Sequence, residues 1–199
     1  MRPPESRKRI CRDILSDLEQ APELYAKCIR EKVESLLEEH EARAFRMMME
    51  TDRIVCEPSY RFSEEISPRI SISSISKSLY EEEDGDLNNY EKKAVWEISA
   101  LGNVRWWHRN MAVRGFCING AVVAYPDLIV RMESGRTLLV ETKGDHLNNP
   151  ASEAKARTGA EWANAAGRLY RYFMVFESIK PDFPGGYSFD EFMKIIKDL

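Results

Sequence analysis

The sequence predicts an α/β fold in which a mixed sheet is flanked by helices and preceded by a helical N-terminal appendage. Three observations carry that prediction. Helical periodicity runs through the first quarter of the chain, strand signals separated by turn residues cluster between residues 104 and 143, and a helix, a strand and a last helix follow in turn. With 199 residues, 43% hydrophobic, 31% charged and 10% aromatic, the chain has the length and composition for one full-sized core plus a smaller piece. A wholly disordered or collagen-like chain is excluded.

Residues 1–52 read as a helical appendage or linker, with a short helix before Pro22 and a long one after it. In the long helix Tyr25, Cys28, Ile29, Val33, Leu36, Leu37, His40, Ala44, Phe45 and Met48 recur at helical spacing, with glutamates largely between them. Residues 53–87 read as an extended connecting segment. Pro58 and Pro68 bracket short β-prone stretches at 53–55, 59–62 and 70–75, and serines at 71, 73, 74, 76 and 78 make it half-exposed. The acidic run Glu81-Glu82-Glu83-Asp84-Gly85-Asp86 is expected to be a solvated loop that marks the boundary.

The core is placed at residues 88–180. Asn88 or Asn89 caps a helix over 90–101, which Gly102-Asn103 ends. Strands follow at 104–109, 115–118, 122–132 and 136–143, with turns at Asn119-Gly120 and Ser134-Gly135. Asn149-Pro150 opens a helix of about fifteen residues, since asparagine suits the cap and proline the first turn. A further strand covers 169–176. The C-terminal loop and helix, 181–199, begin their helix at the capping box Ser188-Phe189-Asp190-Glu191.

Several function classes drop out. No apolar run approaches a membrane span, and the start MRPPESRKRI does not lead into a signal-type apolar stretch. Cys11, Cys28, Cys56 and Cys117 form no C-x-x-C pair, and His40, His108 and His146 are scattered, so a zinc site is not expected. Free thiols and the absence of a leader fit a cytoplasmic protein. The net charge is −4, but residues 90–180 carry 13 Lys and Arg against 9 Asp and Glu, whereas residues 1–89 carry 14 against 20. A polyanion would meet the middle block.

Two apolar strands carry charge where a core strand should have none. The first holds Tyr125-Pro126-Asp127-Leu128-Ile129-Val130, and the second Leu138-Leu139-Val140-Glu141-Thr142-Lys143-Gly144. Burying an unpaired charge is expensive, so such carboxylates need a reason. Glu141 and Lys143 lie two residues apart and share a strand face. If Glu133-Ser134-Gly135 forms a three-residue hairpin loop with Gly135 left-handed, Met132 pairs with Arg136 and Asp127 falls opposite Glu141. A two-residue Ser134-Gly135 turn would instead oppose Asp127 to Thr142. Converging carboxylates suit Mg²⁺, with Mn²⁺ as a substitute, which takes oxygen ligands and keeps several waters. Such an ion activates water and polarises a phosphoryl oxygen, while Lys143 orients the water or offsets charge, which makes phosphodiester hydrolysis the natural reaction.

The residues resemble the PD-(D/E)XK nuclease superfamily, and more closely the C-terminal endonuclease domain of type III restriction enzymes. The resemblance covers roughly residues 58–177: Lys77-Ser78-Leu79-Tyr80, Leu87-Asn88-Asn89-Tyr90-Glu91-Lys92, Trp106-Trp107-His108-Arg109-Asn110, Tyr125-Pro126-Asp127, Val140-Glu141-Thr142-Lys143-Gly144 and the helix with Lys155. It implies a restriction-endonuclease-like sheet and a Mg²⁺-dependent endodeoxyribonuclease. In that likeness Asp127 and Glu141 are metal ligands and Lys143 is the catalytic lysine. Glu91 matches an acidic residue that assists the metal, and Glu97 competes with it for that role.

The implied partners are double-stranded DNA, a helicase-like ATPase motor and a methyltransferase. The chain itself has no G-x-x-x-x-G-K-[ST] loop to hold an ATP phosphate. Candidate nucleic-acid contacts are Arg109 and Asn110, in a stretch that interleaves aromatics with cations, together with His146 and Lys155 near the paired strands. One of Trp106 and Trp107 is expected in the core. Two rival readings remain at this stage: a repair or recombination nuclease with the same site, and a nuclease-fold module that only binds.

Overall fold

A computed structural model describes residues 21–199 apart from 52, 54, 55, 57 and 121. The short helix expected before Pro22 and most of the stretch 53–55 lie outside the described residues. The chain divides into two compact units, Met1–Thr51 and Asp52–Leu199. In the first, α1 (Pro22–Glu50) has proline in its first turn, where the missing N–H has no partner to lose. No residue of α1 is buried, and Leu24, Ile29, Val33, Leu36, Leu37 and Met47 are all half or more exposed.

The second unit opens with the extended segment, which does more than connect. Strands β1 (Ser71–Ile72) and β2 (Glu83–Asp84) pair antiparallel, and Ile75 and Leu87 are buried in the core. Between them the chain lies along Trp107: Trp107 N donates to Lys77 O at 2.9 Å and Leu79 N donates to Trp107 O at 2.8 Å. The acidic run is only partly solvated, contrary to expectation. Glu81, Glu82 and Asp86 are exposed, but Glu83 is fully buried and Asp84 is 8% exposed. A hydrogen bond from His108 accounts for the inward turn of Glu83.

Helix α2 (Asn89–Ala100) starts at the expected asparagine. Asn88 Oδ1 accepts from Glu91 N at 2.9 Å while Glu91 Oε2 accepts from Asn88 N at 2.8 Å, a reciprocal capping box. Strand β3 (Val104–Arg109) follows. The expected strands at 115–118 and 122–132 are shorter: β4 (Ile118–Asn119) and β5 (Val123–Ala124) make a small ribbon of their own, and β6 spans only Leu128–Met132. Pro126 interrupts the run because it has no N–H for a ladder. Then come β7 (Thr137–Lys143), α3 (Pro150–Ala166), β8 (Tyr170–Phe176), β9 (Gly186–Ser188) and α4 (Phe189–Lys197), the last headed by the expected Ser188–Glu191 box.

The main sheet is mixed, in the order β3-β6-β7-β8-β9. The first two pairings are antiparallel and the last two parallel. Its hairpin settles the register question. Gly135 sits at φ +83°, Met132 N donates to Arg136 O at 2.9 Å, and Arg131 faces Thr137, which is the three-residue loop. On one face Leu138, Val140, Phe173 and Val175 pack with Val95 and Ile98 of α2 and Phe192 and Ile196 of α4. On the other, Ile129, Leu139, Tyr172, Met174 and Phe176 pack with Ala156 and Ala163 of α3. Trp107 is the core tryptophan, and Trp106 is partly buried on the second face. No described helix is long and apolar enough to cross a membrane.

Candidate active site

Because β6 runs antiparallel to both β3 and β7, the end of β3, the start of β6 and the end of β7 meet at one end of the sheet. Arg109, Asp127, and the pair Glu141 and Lys143 therefore come together from three separate stretches of sequence. Asp127 is carried in the bend just ahead of β6. Its Oδ2 accepts from both the backbone N and the Oγ1 of Thr142, each at 2.7 Å, and its Oδ1 lies 3.3 Å from Arg109 Nη1. The register that opposes residues 127 and 141 thus holds, but the Asp127 carboxylate leans one residue further along β7 to reach Thr142. Three donors on one carboxylate fix its direction.

Glu141 is 3% exposed. Its Oε1 lies 2.6 Å from Lys143 Nζ and 3.6 Å from Lys155 Nζ, the latter reaching down from α3. Its Oε2 is buried with no hydrogen-bond partner among the described residues. Burial pushes the Glu141 carboxyl above the usual glutamate range, and the Asp127 charge pushes the same way against the pull of Lys143 and Lys155. Two carboxylates are thus held close enough to repel, with cations supplying the countercharge.

Glu91 reaches this group only through Arg109. One of its oxygens caps α2, and the other lies 3.4 Å from Arg109 Nη2, so the structure places it beside the carboxylate pair as an anchor for the guanidinium. Glu97 is exposed further along α2. Arg109 binds inward, to Glu91, to the Asp127 side chain and to Asp127 O at 3.1 Å. Asn110 is 2% exposed and is an internal clamp: Nδ2 donates to Phe116 O and Pro126 O at 2.8 and 2.7 Å, and Oδ1 accepts from Phe116 N at 2.7 Å. Those bonds leave no free polar atom for a nucleic acid and instead set the bend that carries Asp127. A Cβ at Gly115 would collide with the Asn110 side chain, so the clamp needs glycine there.

His146 is exposed in the one-turn 3₁₀ segment Asp145–Leu147, its ring lying over Gly144 just past Lys143. Its neighbour Asp145 accepts from Ser178 N at 3.0 Å and Ile179 N at 3.3 Å, bonds that hold its carboxyl below the usual range and tie the exits of β7 and β8 together.

Among the described residues no three carboxylate, imidazole or thiol groups form a ready-made metal cluster. The pair still fits a hard divalent ion. Mg²⁺ is commonly held by one or two carboxylates plus water and substrate oxygens, and Glu141 Oε2 is a buried carboxylate oxygen that nothing among the described residues satisfies. Asp127 and Glu141 are the residues that would hold the ion. Reading the sequence did not single out Thr142, Tyr172 or the Glu83–His108 pair. Thr142 stood in view between Glu141 and Lys143, but its partner is set by the lean of Asp127. Tyr172 joins the site through the parallel β7–β8 register, which no local signal encodes. No family model, curated protein or solved structure matches the chain.

Proposed function

We propose that this chain is a metal-dependent endonuclease that hydrolyses DNA phosphodiester bonds, working as the nuclease part of a type III-like restriction system. The observation that carries the reading is Glu141 Oε2, buried and unpartnered, on a carboxylate pressed against a second carboxylate, Asp127, with a lysine in hydrogen-bond contact. A structural ion pair has no need of two mutually repelling acids, and a cation-dependent site does. The resemblance to PD-(D/E)XK nucleases supports the same assignment, and DNA as substrate comes from that resemblance.

A bound Mg²⁺ or Mn²⁺ supplies Lewis-acid polarisation of a phosphoryl oxygen and lowers the pKa of a water. Thr142 and Arg109 hold Asp127 in one orientation before substrate arrives, so no reorganisation is needed at the moment of reaction. Lys143, 17% exposed, is placed to orient the attacking water and to offset charge on the phosphoryl oxygens. Lys155 and His146 stand on the rim, where a phosphate backbone would pass. This sequence has no ATP loop, so translocation would belong to a helicase-like ATPase, on the same protein or a partner, and protection of host DNA to a methyltransferase.

Nicking of supercoiled plasmid at low salt tests the reading. Wild type is expected to nick with Mg²⁺ and not with EDTA, and Asp127→Ala and Lys143→Met are each expected to lose activity about a hundredfold or more. Nicking that survives in EDTA, or that both variants retain, overturns it.

A further inference from the structure

Arg109 borders a second cavity besides the carboxylate pair. It has a volume of about 210 Å³, and its walls include Tyr60, Phe62, Tyr80, His108 and Arg114. The rings brace one another edge to face. Tyr60 and Phe62 lie 5.0 Å apart at 88°, Phe62 and His108 5.5 Å apart at 86°, and Tyr80 and His108 5.3 Å apart at 67°. Tyr80 is further pinned by its hydroxyl, which donates to Ser63 O at 2.7 Å. The walls are therefore fixed aromatic surfaces.

Beneath them lies a buried acid–imidazole pair. His108 Nδ1 is 2.9 and 3.1 Å from the two oxygens of Glu83, a residue with no solvent exposure. A buried pair of this kind stabilises a fold little compared with apolar side chains of the same volume, so packing does not account for it. What it does is set the ring orientation, leaving Nε2 as the nitrogen available to a cavity occupant. Asp84, which also lines the cavity, has Oδ1 occupied by Asp86 N at 3.0 Å and offers its other oxygen as an acceptor. The loop bearing Arg114 is strained: Val113, a β-branched residue that is 82% exposed, sits at φ 69°.

We propose that this cavity receives an unstacked nucleobase from the strand bound at the carboxylate pair. The proposal rests on the nuclease reading, because Arg109 joins the two places and makes the cavity's occupant part of the same polyanion. Aromatic faces stack any base. Arg114, His108 Nε2 and the free oxygen of Asp84 meet the donors and acceptors on a base edge, as arginine does for guanine and a carboxylate for cytosine. Extruding a base beside the scissile phosphate holds the strand in register while its backbone crosses Asp127 and Glu141.

Photocrosslinking tests this without relying on cleavage. The full chain is bound in EDTA at low salt to single-stranded and duplex oligonucleotides with 5-iodouracil at each position in turn, then irradiated, and the crosslinked residue is mapped by mass spectrometry. The expected result is crosslinking to Tyr60, Phe62, Tyr80 or His108 from one position, reduced about tenfold by Arg114→Glu, an exposed substitution. Crosslinks only elsewhere, or none while anisotropy shows the DNA bound, overturn the base pocket and leave the nuclease reading to the nicking assay. Pocket crosslinks in a chain that never nicks with Mg²⁺ retain the pocket and overturn the nuclease reading. A chain that binds no DNA overturns both.

Discussion

Leu138 and Val140 of β7 point into an apolar layer with neighbours from α2, α4, β3, β6 and β8, while Leu139, Glu141 and Lys143 of the same strand point the other way, toward α3. Both faces of this strand are covered. The two buried side-chain polar atoms without a partner among the described residues, Glu141 Oε2 and Tyr172 Oη, belong to the second face. Tyr172 pairs with Leu139 in the β7–β8 register and so projects beside Glu141, and a Cβ at Gly159 of α3 would collide with its ring. Burial raises the Tyr172 hydroxyl well above its usual pKa, with the charges of Glu141 and Asp127 adding to the rise. One face of the sheet is built for stability. The other gives up stability to keep acids dry, close together and next to a lysine, the pattern expected of a site that handles charge.

Substitutions on the two faces should accordingly behave in opposite ways. The largest effect belongs to the apolar face: Phe192→Ala, at a fully buried position, is expected to cost about 3–5 kcal/mol in urea unfolding by opening a cavity. A loss below 1 kcal/mol would mean that this face is not the stabilising one. On the other face Tyr172→Phe should gain about 1 kcal/mol, because it removes a buried hydroxyl that has no hydrogen bond. A loss of stability there would reveal a partner for the hydroxyl and weaken the contrast.

The smallest effect is a pH slope. A carboxyl whose native pKa is raised binds its proton more tightly folded than unfolded, so stability falls as pH rises from the ordinary glutamate range through the raised value. The window therefore opens at the ordinary glutamate range and closes just above the raised native pKa. Glu141→Gln should flatten that slope, so that its thermal midpoint at pH 8 is no lower than that of wild type. A slope unchanged in the variant would assign it to other groups.

The same contrast explains what could be read in the sequence. The capping boxes at Asn88 and Ser188 were legible because a cap is a local device, completed within three residues. The Asp127–Glu141 register could be derived from the sequence as the consequence of a three-residue loop, Glu133-Ser134-Gly135 with Gly135 left-handed, from which the side-chain period carries five residues on. What escaped depends on distant pieces of chain. Glu83 looked like one more acid in a solvated run, and bonds from His108 and from Arg109 N, 25 and 26 residues away, turn it inward. Arg109 and Asn110 looked like surface contacts in a basic, aromatic stretch. Their partners, Glu91, Asp127, Phe116 and Pro126, come from other elements and draw both side chains inside.

Calorimetric titration of Mn²⁺ into the full chain at pH 7.5, compared with Glu141→Gln, tests most directly whether the charged face is a cation site. The account predicts saturable binding to wild type that disappears in the variant while its fold, followed by circular dichroism, is unchanged. Equal binding to both proteins, or no binding to a folded wild type even with a non-cleavable DNA duplex present, would contradict it.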